Sequence, residues 1–190
     1  MKNIIAQPLR FTTFLILVIF SFTSQYSLAD DRTALDNDIH AAIKHLLDTT
    51  PAAKELAKTA RGALVFPNIK KAGFILGIQY GDGALVRKKQ EGGYYIASYY
   101  TISAASFGYQ AGVQKFGYVL ALMTDSAVQH VETSNGWELG VGPTIVIVDA
   151  GKAKTLSTET VKSDVYAFSF GQKGLMAGAG IQGTKVTKIE

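Results

Sequence analysis

Three histidines, a short run of carboxylates and one glycine-rich hexapeptide are the residues of this chain whose types could support catalysis, metal binding or phosphate cradling. His40 and His45 stand five apart in a helical pattern, so they do not share a face as a pair of metal ligands would, and His130 is remote in sequence. Asp36-Asn37-Asp38 opens like a calcium loop but lacks the glycine and the distal glutamate. Gly178 to Gly183 has the spacing of a dinucleotide-binding turn, yet no helix follows it and no βαβ unit encloses it. No serine sits in a nucleophile elbow, and the chain has no cysteine to supply a thiol. These residues point away from an enzyme, and no cofactor or metal is expected.

The cations carry more information. Lys70-Lys71 reads as part of a turn after Pro67-Asn68, and Arg87-Lys88-Lys89 closes a strand ahead of Gly92-Gly93. If 73–80 and 84–87 pair as a hairpin about Gly81-Asp82-Gly83, both clusters fall at its open end beside Arg61. That would form a rim of Arg61, Lys70, Lys71, Arg87, Lys88 and Lys89. Each basic residue beside an anionic bilayer contributes about 1 kcal/mol, so such a rim would hold a domain weakly on lipid headgroups. The competing reading is that lysines at strand ends serve solubility. Tyr94, Tyr95, Tyr99 and Tyr100 suit a membrane interface or a half-buried strand, with neighbours pointing to opposite faces.

The elements that must position these residues change character along the chain. From Thr33 a helix is expected, with Thr33 and Asp36 at capping-box spacing and Leu35, Ile39, Ala42, Ile43, Leu46 and Leu47 on one stripe. Thr50-Pro51 restarts a second helix that stops at Gly62. Beyond it come short alternating runs punctuated by glycine at 63–66, 73–80, 84–87, 94–103, 107–114, 118–123, 137–142, 144–149, 165–170 and 175–186. Turns are expected at Gly81-Asp82-Gly83, Glu91-Gly92-Gly93, Asn135-Gly136 and Gln172-Lys173-Gly174, and a short helix capped by Thr124 near 125–133. A glycine-apolar-glutamine unit recurs at Gly77, Gly108, Gly112 and Gly180. Strand glycines imply either a strongly curved sheet or a narrow polar groove lined by Gln79, Gln110, Gln114 and Gln182.

The first segment has the parts of a secretory signal: Lys2 and Arg10, an apolar run from Phe11 to Phe22, and Ser27 and Ala29 before Asp30. The run is short for a span of roughly 20 residues, so cleavage after Ala29 is expected, leaving residues 30–190 as one exported domain. Once Lys2 and Arg10 leave, 17 basic residues face 15 acidic ones. So mild a field gives no case for nucleic acid.

The run Ala60-Arg61-Gly62-Ala63-Leu64-Val65-Phe66-Pro67-Asn68-Ile69, with Lys71-Ala72-Gly73-Phe74 and Gly77-Ile78-Gln79-Tyr80-Gly81-Asp82-Gly83, resembles the SYLF domain, or Ysc84 family. Ser103 to Gly112, Met123-Thr124-Asp125, Asn135-Gly136-Trp137-Glu138 and Gly183-Thr184-Lys185 resemble its later motifs, in order. The resemblance implies a lipid-binding domain that uses basic residues and an amphipathic N-terminal helix. Here Asp36, Asp38 and Asp48 against Lys44 would repel anionic headgroups from that helix. The expectation is therefore an α+β domain, two N-terminal helices on a strongly curved antiparallel sheet or small barrel. It would be periplasmic or in the cell envelope and bind anionic phospholipid peripherally through the basic rim. An envelope protein-interaction module is the alternative, and actin is not expected in that compartment.

Overall fold

The computed structural model describes residues 31–73, 76–107, 112–148, 162–174 and 183–189. The expected signal at 1–29, Gln110 and Gln182, and most of the run 175–186 lie outside the described residues. The chain divides into two compact units, residues 1–36 and 37–190. Helix α1 is described over residues 31–49, so it is already helical at Asp31 and Thr33 is not its cap. Helix α2 is Pro51–Thr59, with Thr50 at its N-cap and proline in the first turn, where the missing N–H is harmless.

Eight strands follow: β1 Gly62–Gly73, β2 Leu76–Lys88, β3 Tyr94–Phe107, β4 Gly112–Leu122, β5 Trp137–Glu138, β6 Ile145–Val148, β7 Val165–Gly174 and β8 Thr184–Ile189. Helix α3, Asp125–Thr133, sits between β4 and β5, and its Thr124 hydroxyl accepts from the Ala127 N–H as expected of a cap. The strands form one sheet in the order β5-β8-β3-β2-β1-β4-β7-β6. Every pairing is antiparallel except β6 with β7, which corrects the wholly antiparallel expectation.

One face of this sheet carries Leu64, Phe66, Ile69, Leu85, Tyr100, Ile102, Phe116, Tyr118, Leu120 and Leu122. Ala127, Val128 and Val131 of α3 belong to the same cluster. So do Trp137 and Val186 from one margin and Val165 and Ala167 from the other. Eight flat strands about 4.8 Å apart would hold those margins roughly 30 Å away from each other. Their shared core therefore requires a strongly curled sheet, although β5 and β6 do not pair to close a barrel among the described residues. The opposite, outer face is covered at one end by α1 and α2. Asn68 donates to Asp38, Lys88 Nζ donates to the Lys58 carbonyl at 2.8 Å, and the His45 ring lies 6.0 Å from that of Phe170.

The curl has a local cause in β1. Pro67 cannot donate to a ladder, and pairing with both neighbours shifts register across Phe66 to Lys70. The bulged backbone presses on β2 where β2 has no side chain. A Cβ on Gly83 would lie 2.2 Å from the Val65 carbonyl oxygen and 2.5 Å from Phe66 Cδ1. Gly81-Asp82-Gly83 is therefore the middle of one long strand, not a turn, and 73–80 and 84–87 are not partners in a hairpin. Gln172-Lys173-Gly174 likewise belongs to β7, whereas Gly92 and Gly93, at φ +93° and +76°, form the expected β2–β3 turn.

Asp164 ties the parallel margin to α3. Its carboxylate accepts from the Thr144 N–H at 3.0 Å, the Thr144 hydroxyl at 2.8 Å and the Thr124 hydroxyl at 3.2 Å. The Thr144 backbone bond, then its hydroxyl, hold this carboxyl below its ordinary value.

Gly83→Ala is expected to cost about 1–3 kcal/mol in urea unfolding, because the added methyl meets backbone that cannot yield. A depressed carboxyl stabilises the fold above its unfolded value near 3.9 and loses that contribution as pH falls through the lower folded value. Asp164→Asn should therefore flatten the acid limb of the stability-against-pH curve.

Candidate functional site

The six cations expected on one rim stand at opposite ends of the sheet. Gly62 pairs with Arg87 at one end of β1, whereas Lys70 and Lys71 lie beyond the bulge beside the β1–β2 connection. Eight residues of strand separate the clusters by about 27 Å. Arg61, Arg87, Lys88 and Lys89 form the first group, and acids share their end. Arg61 Nε lies 3.7 Å from Asp125, Arg87 bonds Glu132 at 3.1 Å, and Lys88 caps a carbonyl of α2.

Lys70 and Lys71 occupy the second end, where the chain enters and leaves β1–β2, β3–β4 and β7–β8. The stretches 69–81, 102–118 and 166–189 hold six lysines and no acid. On the outer face, register places Ala105, Ile78, Ala72 and Val113 side by side on β3, β2, β1 and β4. Ile78 is 61% exposed and Val113 68%, so this row is open to solvent. One step nearer the helices, the next outer row is Lys185, Ser103, Tyr80, Lys70 and Lys115. Glu138 on β5 pairs in register with Lys185, and no acid pairs with Lys70 or Lys115 among the described residues. An exposed apolar row thus stands in front of a row of lysines.

The inner face at this end is polar. Period-two alternation after Ile69 turns Lys71 inward, and Gln79 and Gln114 are its register partners on either side. Ala104 follows Gln79, and Thr184 follows Ala104, in the same row. Lys71, Gln79, Gln114 and Thr184 are all buried, and Lys71 is thus no part of a surface rim. Gln79 Nε2, Gln114 Oε1 and Thr184 Oγ1 have no hydrogen-bond partner among the described residues. The row beyond, nearer the connections, is Gly112, Gly73, Gly77 and Ser106. Of the expected glutamine groove, Gln79 and Gln114 come together; Gln110 and Gln182 lie outside the described residues.

Some of these features fall on a segment that matches a known family. Residues 103–189 match the family described as Ysc84, Las17-binding protein actin regulator. Over this stretch, a little under half of the chain, the sequence is similar to the Ysc84, or SYLF, family. Over 154 residues the chain is also 29% identical to Beta cell expansion factor A of Aeromonas veronii. That alignment covers 81% of this chain and 56% of the relative, so the chain spans little more than half the relative's length. The Ysc84 match takes in the end of β3 and all of β4 and β8, hence Lys115, Val113, Gln114 and Thr184.

A third feature is an apolar cavity of about 270 Å³ between the helices and the outer face. Leu46, Leu47, Ala57, Ala121 and Phe168 line it, with Arg87 and Lys88 at its margin. The histidines serve packing: His40 lies 5.2 Å from the Tyr94 ring and His130 5.8 Å from Trp137. Tyr100 is a core residue whose hydroxyl faces the Val131 carbonyl at 3.4 Å. Among the described residues no helix is long and apolar enough to cross a membrane, and no three ligand-type side chains cluster for a metal.

Sequence reasoning missed Ile78, Val113, Lys115 and Thr184. The acid-free stretches around the lysines were the available signal for the first three. A buried carboxamide nitrogen without a partner costs on the order of 1 kcal/mol. Gln79→Leu is accordingly expected to raise the melting temperature by about 2–4 °C in a thermal unfolding scan.

Proposed function

We propose that this domain is a non-catalytic module that binds anionic phospholipid surfaces peripherally, through the lysine-bearing end of its sheet. The observation that carries this reading is the exposed row Ala105, Ile78, Ala72 and Val113 standing before Lys70 and Lys115. Contiguous exposed apolar side chains rimmed by polar groups mark interaction surfaces. With cations behind them, they suit a bilayer whose headgroups are negative and whose interior is apolar.

The magnitudes describe a reversible attachment. Burying Ile78 and Val113 offers about 1.5–3 kcal/mol each before losses. Lys70 and Lys115 add about 1 kcal/mol each near an anionic surface. Ordering costs offset much of that sum, so binding should be weak and salt-sensitive. The Arg61, Arg87, Lys88 and Lys89 group is the lesser contributor, since carboxylates already neutralise two of its members. The family's actin-regulator description does not carry over, because the export expected from residues 1–29 removes the chain from actin.

A second reading takes the 270 Å³ apolar cavity as a berth for one alkyl chain, with Arg87 and Lys88 near the charged head. About nine methylene-sized groups fit that volume, if each occupies the ~30 Å³ share of a liquid water.

Cosedimentation of the full chain with phosphatidylglycerol-containing vesicles, against neutral vesicles, tests the first reading. Excess binding to the anionic vesicles should weaken as salt rises and fall by about thirtyfold or more for the Lys70→Glu, Lys115→Glu pair. Ile78→Asp and Val113→Asp should lower it as well. Binding that ignores all four changes yet is lost when Ala121→Phe fills the cavity would favour the alkyl-chain reading. Equal sedimentation with both vesicle types at every salt would remove the anionic-surface reading.

A further inference from the structure

The inner-row atoms that lack a partner among the described residues serve neither the described fold nor the surface reading. Buried carboxamides and hydroxyls in folded proteins almost always have partners, so each exception calls for an explanation. Here three exceptions, Gln79 Nε2, Gln114 Oε1 and Thr184 Oγ1, share one cross-strand row. The fourth polar member is a lysine that is 8% exposed, and no carboxylate bridges to it among the described residues. Chance packing would scatter such orphans. A ligand with oxygen atoms would satisfy them together.

The charge and spacing narrow the ligand. Lys71 brings a positive charge and up to three donors, flanked on adjacent strands by two carboxamides about 5 Å away along the row. Either carboxamide presents a donor or an acceptor by a half-turn about its terminal bond. This set fits a phosphate, whose oxygens accept and which carries a proton part of the time near neutrality, its second ionisation lying near pH 6. Thr184 stands two strand steps from Gln79, about 10 Å, with only the Ala104 methyl between. One phosphate does not reach across that gap, whereas a hydroxylated substituent on it would. Approach from the connection end crosses Gly73, Gly77 and Gly112, so no side chain stands on those three strands in that row. A Cβ on Gly112 would meet nothing within 4 Å. Backbone lined by glycine is the usual way to admit a phosphate closely.

We infer that the inner row binds a phosphate bearing a polyol substituent, as glycerol phosphate does. Lys71, between Gln79 and Gln114, holds the phosphate, and Thr184 holds a substituent hydroxyl. The site lies on the opposite face from the exposed apolar row and does not depend on the membrane reading. A lipid headgroup and a free phosphate ester share this chemistry.

The experiment is an NMR titration of the side-chain amide signals of Gln79 and Gln114 in the full chain, with inorganic phosphate, with glycerol 3-phosphate and with soluble phosphatidylglycerol micelles. Shifts with glycerol 3-phosphate that saturate are expected, with affinity reduced about tenfold in Lys71→Met, the scale of one lost charge-assisted hydrogen bond. Thr184→Val should weaken glycerol 3-phosphate and leave inorganic phosphate unchanged. Lys71→Met should fold with a melting temperature at or above that of the parent; if it does not fold, Thr184→Val and Gln79→Leu carry the comparison. Shifts with the soluble ester and with micelles assign the site to a lipid headgroup, and shifts with the soluble ester alone assign it to a free phosphate ester. No shift with any of the three, or shifts untouched by all three substitutions, overturns the site. Loss of vesicle binding in the Lys70 and Lys115 variants with these shifts intact would separate the two surfaces, whereas vesicle binding without the shifts would leave only the outer one.

Discussion

Everything at the lysine-bearing end depends on the bulge at Pro67-Asn68 in β1. This strand sits between β2 and β4 in the body of the sheet, where a proline without an N–H would ordinarily break the ladder. The ladder survives because the irregularity is confined to two residues against β4 and four against β2, and because β2 offers Gly81 and Gly83 against it. The bend lets the sheet curl, and the curl lets Trp137 and Val186 share a core with Val165 and Ala167. It also restores the alternation on the far side. Ile69 takes the inward position that Phe66 would otherwise hand to Asn68, and Lys71 follows Ile69 inward.

The two ends of the sheet differ in what surrounds their charges. At the helix end, Arg61, Arg87 and Lys88 meet Asp125, Glu132 and the α2 terminus, so their charge is used within the molecule. Exposed pairs of that kind contribute little to stability, yet they still cancel the field seen by an approaching anion. At the other end Lys70 and Lys115 have no acid in register, the nearest carboxylates being Asp82, bonded by Tyr80, and Asp38, in the groove beside Lys115, and the row in front of them is apolar and open to water. Neither arrangement helps the isolated fold, because exposed Ile78 and Val113 forgo burial and clustered lysines repel one another. A surface outside the chain is what would make both features favourable.

Much of the local structure was legible before any coordinates. The Thr50-Pro51 start, the Thr124 cap and the Gly92-Gly93 turn depend on short-range backbone chemistry, and each stands as read. Gly81-Asp82-Gly83 was misread because glycine has two uses. It supplies positive φ in a turn, and it also makes room for a neighbouring backbone; only the Val65–Phe66 bulge across the ladder distinguishes them. That one ambiguity moved Lys70 and Lys71 to the wrong end of the sheet. The separation of Lys70 from Lys71 onto opposite faces was implicit in period-two alternation, once the pair is read as strand and not as turn. Thr184 was beyond sequence reasoning, since its place beside Ala104 and Gln79 is set by non-local pairing of β8 with β3.

A lysine and two glutamines on the inner face are costly there, and an apolar trio would pack without orphaned atoms. Alternation cannot explain them, because it fixes which positions point inward and not which residue types fill them. The same face toward the helix end is Leu64, Leu85, Leu120 and Leu122, so the sheet is able to present apolar side chains in that direction. The switch from leucine to lysine and glutamine occurs across the bulge, within one strand on β1 and in step on β2 and β4. Three neighbouring strands changing character at one level, just inside a row of glycines, is the pattern of a site that trades stability for recognition.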